Sequence, residues 1–368
     1  MIGMEEIFPI KKKFIYFNSA STGPLPYPAY EKIKKMAEYS CFDGEIEFFT
    51  LLKPVIESLR KNLAFFFGCK GHEIALCKNT SHGILLSLLS IPFRKNHNII
   101  VQEDAFPAIK VPAIYSGQEI RFCDFSKEPI KNLKKKINKN TKAVIIDWVH
   151  FYKGYVLDLK EIGNFCKERD IYFIVDGIQG AGMLSISLKS TPIDFFIAGA
   201  SKWLLGPHGI GFMYINPDTF KKINKKYAGW ISLDWKDFSN FEEFPPLRKG
   251  TQLLEEGTFN SLGVFGWNES MKIFVKMGKR EIYKRIKNLI VHLRNIFKEL
   301  KFEILPEETS QPSGIISFKP PDPEKVYKKL LKNNVIVSLR NGFIRVSPHF
   351  FNDKEEIKKF EKILFHFF

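Results

Sequence analysis

The chain has 368 residues, 45% hydrophobic and 14% aromatic, enough to bury a large core in one bigger and one smaller domain, and this argues against a disordered chain. The net charge of +16 comes mostly from lysines spread along helical stretches (Lys131 to Lys139, Lys279 to Lys301, Lys325 to Lys332), the pattern of a solvated surface rather than of an arginine and aromatic nucleic-acid site. Five cysteines without a CxxC pair argue against a zinc site or a disulfide framework, and with no long uncharged apolar run and no secretory leader the expectation is a cytoplasmic protein without a membrane partner.

In chain order, short β-rich runs alternate with longer helical patterns through the first two-thirds, as in a parallel sheet built from crossover units. Strands are expected at 73–77, 98–102, 119–123, 143–148, 172–175, 195–199 and 211–215. The runs ending in Asp147 and Asp176 are continuously apolar, as central strands covered on both faces must be, and they put acids at the carboxyl edge where α/β sheets bind ligands. From 230 to 256 the periodicity fails and an extended loop is expected. One long amphipathic helix over 268–300 follows, then a compact α+β segment with strands near 315–318 and 343–346 and helices at 323–333 and 354–367. The expected fold class is α/β: a large domain, 14–250, holding a mostly parallel seven-stranded sheet between helices, and a smaller α+β domain, 251–368 together with 1–13.

The segment Gly199-Ala-Ser-Lys-Trp-Leu-Leu-Gly-Pro-His-Gly-Ile-Gly211 follows an apolar strand and crowds glycines after one lysine. Its order does not fit a P-loop, which needs GxxxxGK[ST]. A desolvated lysine at the rim of a sheet can instead form an imine with a carbonyl cofactor. Upstream, Asp176 ends a buried strand in Asp176-Gly-Ile-Gln179, and a carboxylate there needs a cationic partner. A protonated pyridine nitrogen is one such partner, and Gln179 lies within reach of a ring hydroxyl.

Six blocks together resemble the class V aminotransferase family of pyridoxal-phosphate enzymes, which includes cysteine desulfurases, kynureninase and isopenicillin N epimerase-like proteins. They are Phe17-Asn-Ser-Ala-Ser-Thr-Gly-Pro24, Asn79-Thr-Ser-His-Gly83, Asp176-Gly-Ile-Gln179, Ser201-Lys-Trp-Leu-Leu-Gly-Pro207, Glu256-Gly-Thr-Phe-Asn260 and Ile344-Arg-Val-Ser-Pro-His349, in the family's order over nearly the whole chain. The resemblance implies the type I fold of pyridoxal-phosphate-dependent transferases, with pyridoxal 5'-phosphate as a Schiff base on Lys202. It implies Asp176 at the pyridine nitrogen, Gln179 at the phenolic oxygen, and Thr80, Ser81 and Ser201 as phosphate donors. It further implies Phe106 stacked on the ring face and Arg345 on the substrate α-carboxylate. Gly257 and Thr258 would reach the phosphate of a neighbouring subunit, and hence a homodimer with shared sites. His82 reads as packing at a helix start, and Arg340 and His349 flank the arginine motif as weaker candidates.

Two departures bear on the reaction. Cysteine desulfurases carry a catalytic cysteine shortly before the carboxylate-binding arginine, whereas the last cysteine here is Cys166. Desulfuration through an enzyme persulfide is therefore disfavoured. Desulfurase-like members often have Asn where this chain has Phe151. Transamination, racemisation, β-elimination and kynureninase-like hydrolysis stay open, with aminotransferase placed first and cysteine or selenocysteine lyase activity second. The reading from another class is a non-catalytic protein that binds pyridoxal phosphate or nucleic acid.

Overall fold

A computed structural model describes residues 3–307 and 311–368. Residues 1 and 2 of the expected small-domain segment 1–13, and 308–310 of 251–368, lie outside the described residues. A short strand, β1 (Ile15–Tyr16), precedes the strands of the main sheet: β2 (Ile74–Cys77), β3 (Asn98–Gln102), β4 (Glu119–Cys123), β5 (Thr141–Asp147), β6 (Tyr172–Asp176), β7 (Phe195–Gly199) and β8 (Gly211–Ile215). Their spatial order is β2-β8-β7-β6-β5-β3-β4, seven strands of which β8 alone runs antiparallel to its neighbours. Every residue of β3, β6 and β7 is buried, because helices cover both faces, and the apolar Val and Ile runs supply what those faces require. The outermost strand β4 is largely exposed and carries charge, which blunts the sheet edge.

Parallel strands all end on one edge. The carboxyl ends of β2, β3, β5, β6 and β7 therefore bring Asn79 to Ser81, Asp104 to Phe106, Asp147, Asp176 and Ser201 to Lys202 to that edge.

The C-terminal part forms a second sheet of four antiparallel strands, β9 (Glu303–Leu305), β10 (Ile316–Lys319), β12 (Ser338–Arg340) and β13 (Phe343–Val346), in the order β12-β13-β10-β9. A two-residue strand, β11 (Val335–Ile336), pairs in parallel with β1 and ties the N-terminal segment to this unit. The expected helix over 268–300 is two helices, Ser261–Met277 and Lys279–Glu299. Gly278 between them has φ 77° and ψ 143°, a conformation that ends one helix and that a side chain would strain. The first of the two packs beside the helix Lys53–Phe67, where Ser58 and Asn62 both donate to Asn268 Oδ1. The stretch 230–256 is mostly irregular, with single turns of 3-10 helix at Trp230–Ser232 and Thr251–Leu254. Among the described residues no helix is long and apolar enough to cross a membrane.

Candidate active site

The turn after β7 carries Lys202, and its backbone is clamped from three sides. Gly23 N–H donates to Ser201 O at 2.8 Å, and a Cβ on Gly23 would lie 2.1 Å from Lys202 O, so only glycine allows that approach. Trp203 is fully buried and donates from Nε1 to Gln179 Oε1 at 2.9 Å. His349 reaches across from the C-terminal unit. Phe350 N–H donates to its Nδ1, which leaves Nε2 as the protonated nitrogen donating to Trp203 O at 3.0 Å. Burial pushes the His349 pKa down to about 3, so this imidazole is neutral and acts as a brace, not a base.

Lys202 points into a small cavity lined by Phe106, Asp147, Val149, Phe151, Asp176, Ile178 and Gln179. Burial lowers its pKa to about 8; Asp176 opposes that shift and Arg345 adds to it. Asp176 is buried, with Oδ1 accepting from Ile178 N–H at 2.9 Å and Oδ2 without a hydrogen-bond partner. Burial raises its pKa to about 6, against the backbone N–H of Ile178 and the charge of Lys202. An orphaned carboxylate oxygen in a buried pocket is the site a pyridinium N–H would fill. The residues present thus fit the cofactor that the six blocks implied.

The structure adds an acid that sequence reasoning did not place in the site. Asp147 is the register partner of Asp176 on adjacent parallel strands. Its Oδ2 accepts from Phe106 N–H at 3.0 Å and its Oδ1 has no partner. Burial, then the charge of Asp176, holds its carboxyl well above the ordinary range. The available signal was an acid ending an apolar run; its pairing with Asp176 depends on register, which the chain does not spell out.

Phe106 is 41% exposed at the pocket mouth, its ring centroid 5.4 Å from Lys202 Nζ and 5.3 Å from the Phe151 ring. A polar network holds its loop. Asp104 accepts from Gln102 Nε2, Tyr155 OH and Lys153 Nζ at 3.0, 2.8 and 2.8 Å, while His150 Nε2 donates to Asp104 O at 3.0 Å. Against the rise that burial brings, His150 Nε2, also 3.2 Å from Oδ2, with Lys153 and Gln102, holds the Asp104 carboxyl far below the usual carboxylate range. Gln102 completes the link, because its Oε1 accepts from Asp147 N–H at 2.9 Å.

Gln179 lines the cavity, but much of its amide is engaged: Nε2 donates to Ala20 O at 3.0 Å and Oε1 accepts from Trp203. One N–H remains for a ligand. Arg345, on β13, is buried and braced by Ser338 Oγ on Nε, Phe151 O on Nη1 and Ser21 Oγ on Nη2. One N–H is left on each terminal nitrogen, a fork suited to a carboxylate.

At the other side of the site, Asn79 caps the helix Thr80–Ser90 by accepting from His82 N–H, which leaves the N–H groups of Thr80 and Ser81 as the free donors of the first turn. The Thr80 hydroxyl differs from expectation. It is buried and accepts from Gly199 N–H at 3.0 Å, holding helix and β7 together. Ser201 is half-buried beside Lys202. Gly257 and Thr258 do not enter the Lys202 cavity of their own chain. They line a separate recess with Lys78, His82, Gly209 and Glu256, where Glu256 pairs with Lys78 at 2.8 Å and His82 at 3.3 Å.

The family model for aminotransferase class-V matches residues 15–360. A probable cysteine desulfurase of Pyrococcus abyssi is 26% identical over 387 residues, covering 97% of this chain and 94% of the relative. The uncharacterized aminotransferase YcbU of Bacillus subtilis is 23% identical over 361 residues, covering 96% and 94%. Among solved structures, the complex between the cystine C-S lyase C-DES and its reaction product cysteine persulfide has a TM-score of 0.87 at 24% identity, covering 96% of this chain and 98% of that one. A C-DES variant with glycine covalently linked to the PLP cofactor has a TM-score of 0.89 at 24% identity, covering 97% and 98%. These structural likenesses are ones of fold.

Proposed function

The chain belongs to the aminotransferase class-V family, and from that premise we propose that it binds pyridoxal 5'-phosphate at Lys202 and works at the α-carbon of an amino acid held by Arg345. The observation that carries this reading is a half-buried amine, Lys202, lining one cavity with a buried carboxylate, Asp176, that has one oxygen unpartnered. When bound, the cofactor supplies an electron-withdrawing ring that stores the electron pair released at the substrate α-carbon.

The remaining work falls to the chain's own residues. Asp176, whose Oδ2 has no partner, would hold positive charge at the ring nitrogen. The remaining N–H of Gln179 would be the donor for the phenolic oxygen, and the N–H groups of Thr80 and Ser81, with the Ser201 hydroxyl, would hold the phosphate. Phe106 and Phe151 cover the pocket mouth and exclude water. With a pKa near 8, Lys202 is a free amine part of the time at neutral pH, and so takes the proton from the α-carbon and returns it.

Where the proton returns decides the product. Transamination is the first reading, supported by Lys202 as the one basic side chain that lines the cavity among the described residues. A C–S lyase activity is the second, favoured by relatives named as cysteine desulfurase and cystine C–S lyase. Persulfide transfer through an enzyme thiol is not proposed. No cysteine lines the Lys202 cavity, and burial pushes the thiols of Cys77 and Cys166 far up and that of Cys123 to about 11.

A homodimer is part of the proposal, with Gly257 and Thr258 of each subunit serving the partner's phosphate. Exposed Tyr227, Trp230, Phe241, Phe244 and Leu247, which leave apolar surface for a partner, support it.

The test is the visible spectrum of the protein with pyridoxal phosphate before and after a panel of amino acids. A protein-bound band that one amino acid shifts identifies the substrate class. Its decay to a pyridoxamine spectrum selects transamination, and release of sulfide or pyruvate selects the lyase reading. Lys202→Ala should remove the band and turnover while the circular dichroism spectrum stays native; retained turnover refutes the role of Lys202.

A further inference from the structure

Arg345 is not the only guanidinium on its face of the small sheet. Arg345 pairs in register with Ser338 on β12, and the Ser338 hydroxyl accepts from its Nε at 3.0 Å. Side chains alternate along a strand, so Arg340, two residues beyond Ser338, leaves β12 on that same face. Diagonal neighbours across an antiparallel pair stand about 7–8 Å apart, within reach of long side chains. The hairpin that carries both is fixed by the two-residue turn Asn341 and Gly342, with φ of 49° and 77°.

Charge points the same way. Burial, then repulsion from Arg340, lowers the Arg345 pKa, and Arg340 is also among the charges that act on Lys202, so the field of Arg340 reaches both cations. Arg340 is exposed, hydrogen-bonds through Nη1 to Leu339 O at 2.9 Å, and makes no ion pair among the described residues. A cation kept beside two others and given no acid favours an anion from outside. In the reading above, one carboxylate already occupies the fork of Arg345.

We propose that Arg340 binds a second anionic group at the end of the substrate side chain, so that the substrate is an amino acid with an acidic side chain, a carboxylate or a sulfinate. This rests on the proposed function.

The test is calorimetric titration of the cofactor-loaded protein with succinate and with propionate, which bind without turnover. Succinate should bind about 10- to 100-fold tighter, the range of one charge-assisted hydrogen-bonded contact. Arg340→Gln should remove that advantage and leave propionate unchanged, whereas Arg345→Gln should weaken both. Equal affinity for the two ligands, or an Arg340→Gln loss shared by both, overturns the proposal. Spectral titration with aspartate, glutamate and cysteine sulfinate against alanine then separates carboxylate from sulfinate; a preference for alanine over all three also overturns it. A protein that takes up no pyridoxal phosphate fails at the spectrum, before any carboxylate is added, and refutes the underlying reading instead.

Discussion

At the scale of single residues, Lys202 and Asp176 set the working pH. Burial depresses the lysine to about 8, so the reactive free amine grows between roughly pH 7 and 9. The rate at which Lys202 captures the cofactor aldehyde should rise through that window with a midpoint near 8, read by stopped-flow absorbance; a rate flat from pH 6.5 to 9 contradicts it. Asp176 carries the opposite sign of penalty. Its folded pKa of about 6 lies above the ordinary 3.8, so the stability its protonated form contributes is present below about pH 4 and lost as pH rises through 6. Cofactor-free Asp176→Asn should therefore melt a few degrees above the parent at pH 7 and lose that gain at pH 4, while binding the cofactor at least tenfold more weakly. A parent and variant that melt alike at pH 7 would show that the carboxylate is not under strain. Lys202, Asp176 and Gln179, which line one cavity, were legible because each lies at or within three residues of the end of an apolar strand, where the sheet edge is implied, whereas Phe106 came only from the family resemblance. Asp147 as a site residue, the partners of the Gln179 amide and the inward Thr80 hydroxyl were not, because each depends on which strand or helix lies alongside.

Between elements, one buried ion pair ties the phosphate turn to the segment bearing Gly257 and Thr258. Arg60, inside the helix Lys53–Phe67, donates to both oxygens of Glu255 at 2.7 and 3.2 Å, and to Ile74 O in β2 at 3.2 Å. Glu255 also accepts from Leu76 N–H in β2 at 2.7 Å. Arg248 Nη1 stands 3.5 Å from Glu255 Oε2, so without Arg60 the buried carboxylate keeps a longer ion pair and the Leu76 N–H, and the loss falls short of the about 3–5 kcal/mol of a buried charge left with no partner. Arg60→Ala should lower unfolding stability by about 1–3 kcal/mol in denaturant titration, whereas Arg60→Ala with Glu255→Leu should recover part of it; additive losses would show the two side chains to be uncoupled. The central strands were legible because strands covered on both faces must be continuously apolar. The break at Gly278 was not, since the amphipathic pattern continues on either side and only the backbone angle separates the helices. The helix Tyr27–Phe42 went unassigned for the opposite reason: it buries only Ala29 and Met36, too thin a stripe to stand out.

For the whole molecule, the question is whose phosphate Gly257 and Thr258 serve. Thr258 is exposed, a Cβ on Gly257 would meet nothing within 4 Å, and neither lines the Lys202 cavity of its own chain. A group from outside can therefore reach them. If they act across subunits, a chain carrying Lys202→Ala and a chain carrying Thr258→Val are each defective alone, yet a mixed dimer holds one site with an intact Lys202 from one chain and an intact Thr258 from the other. Random reassortment of equal amounts makes half the dimers mixed, so about a quarter of all sites regain full activity. If Thr258 instead serves its own chain, every site in the mixed dimer carries a defect, and mixing gives only the average of the two variants. Activity after co-refolding of the pair, with the dimer fraction checked by light scattering, separates the two arrangements.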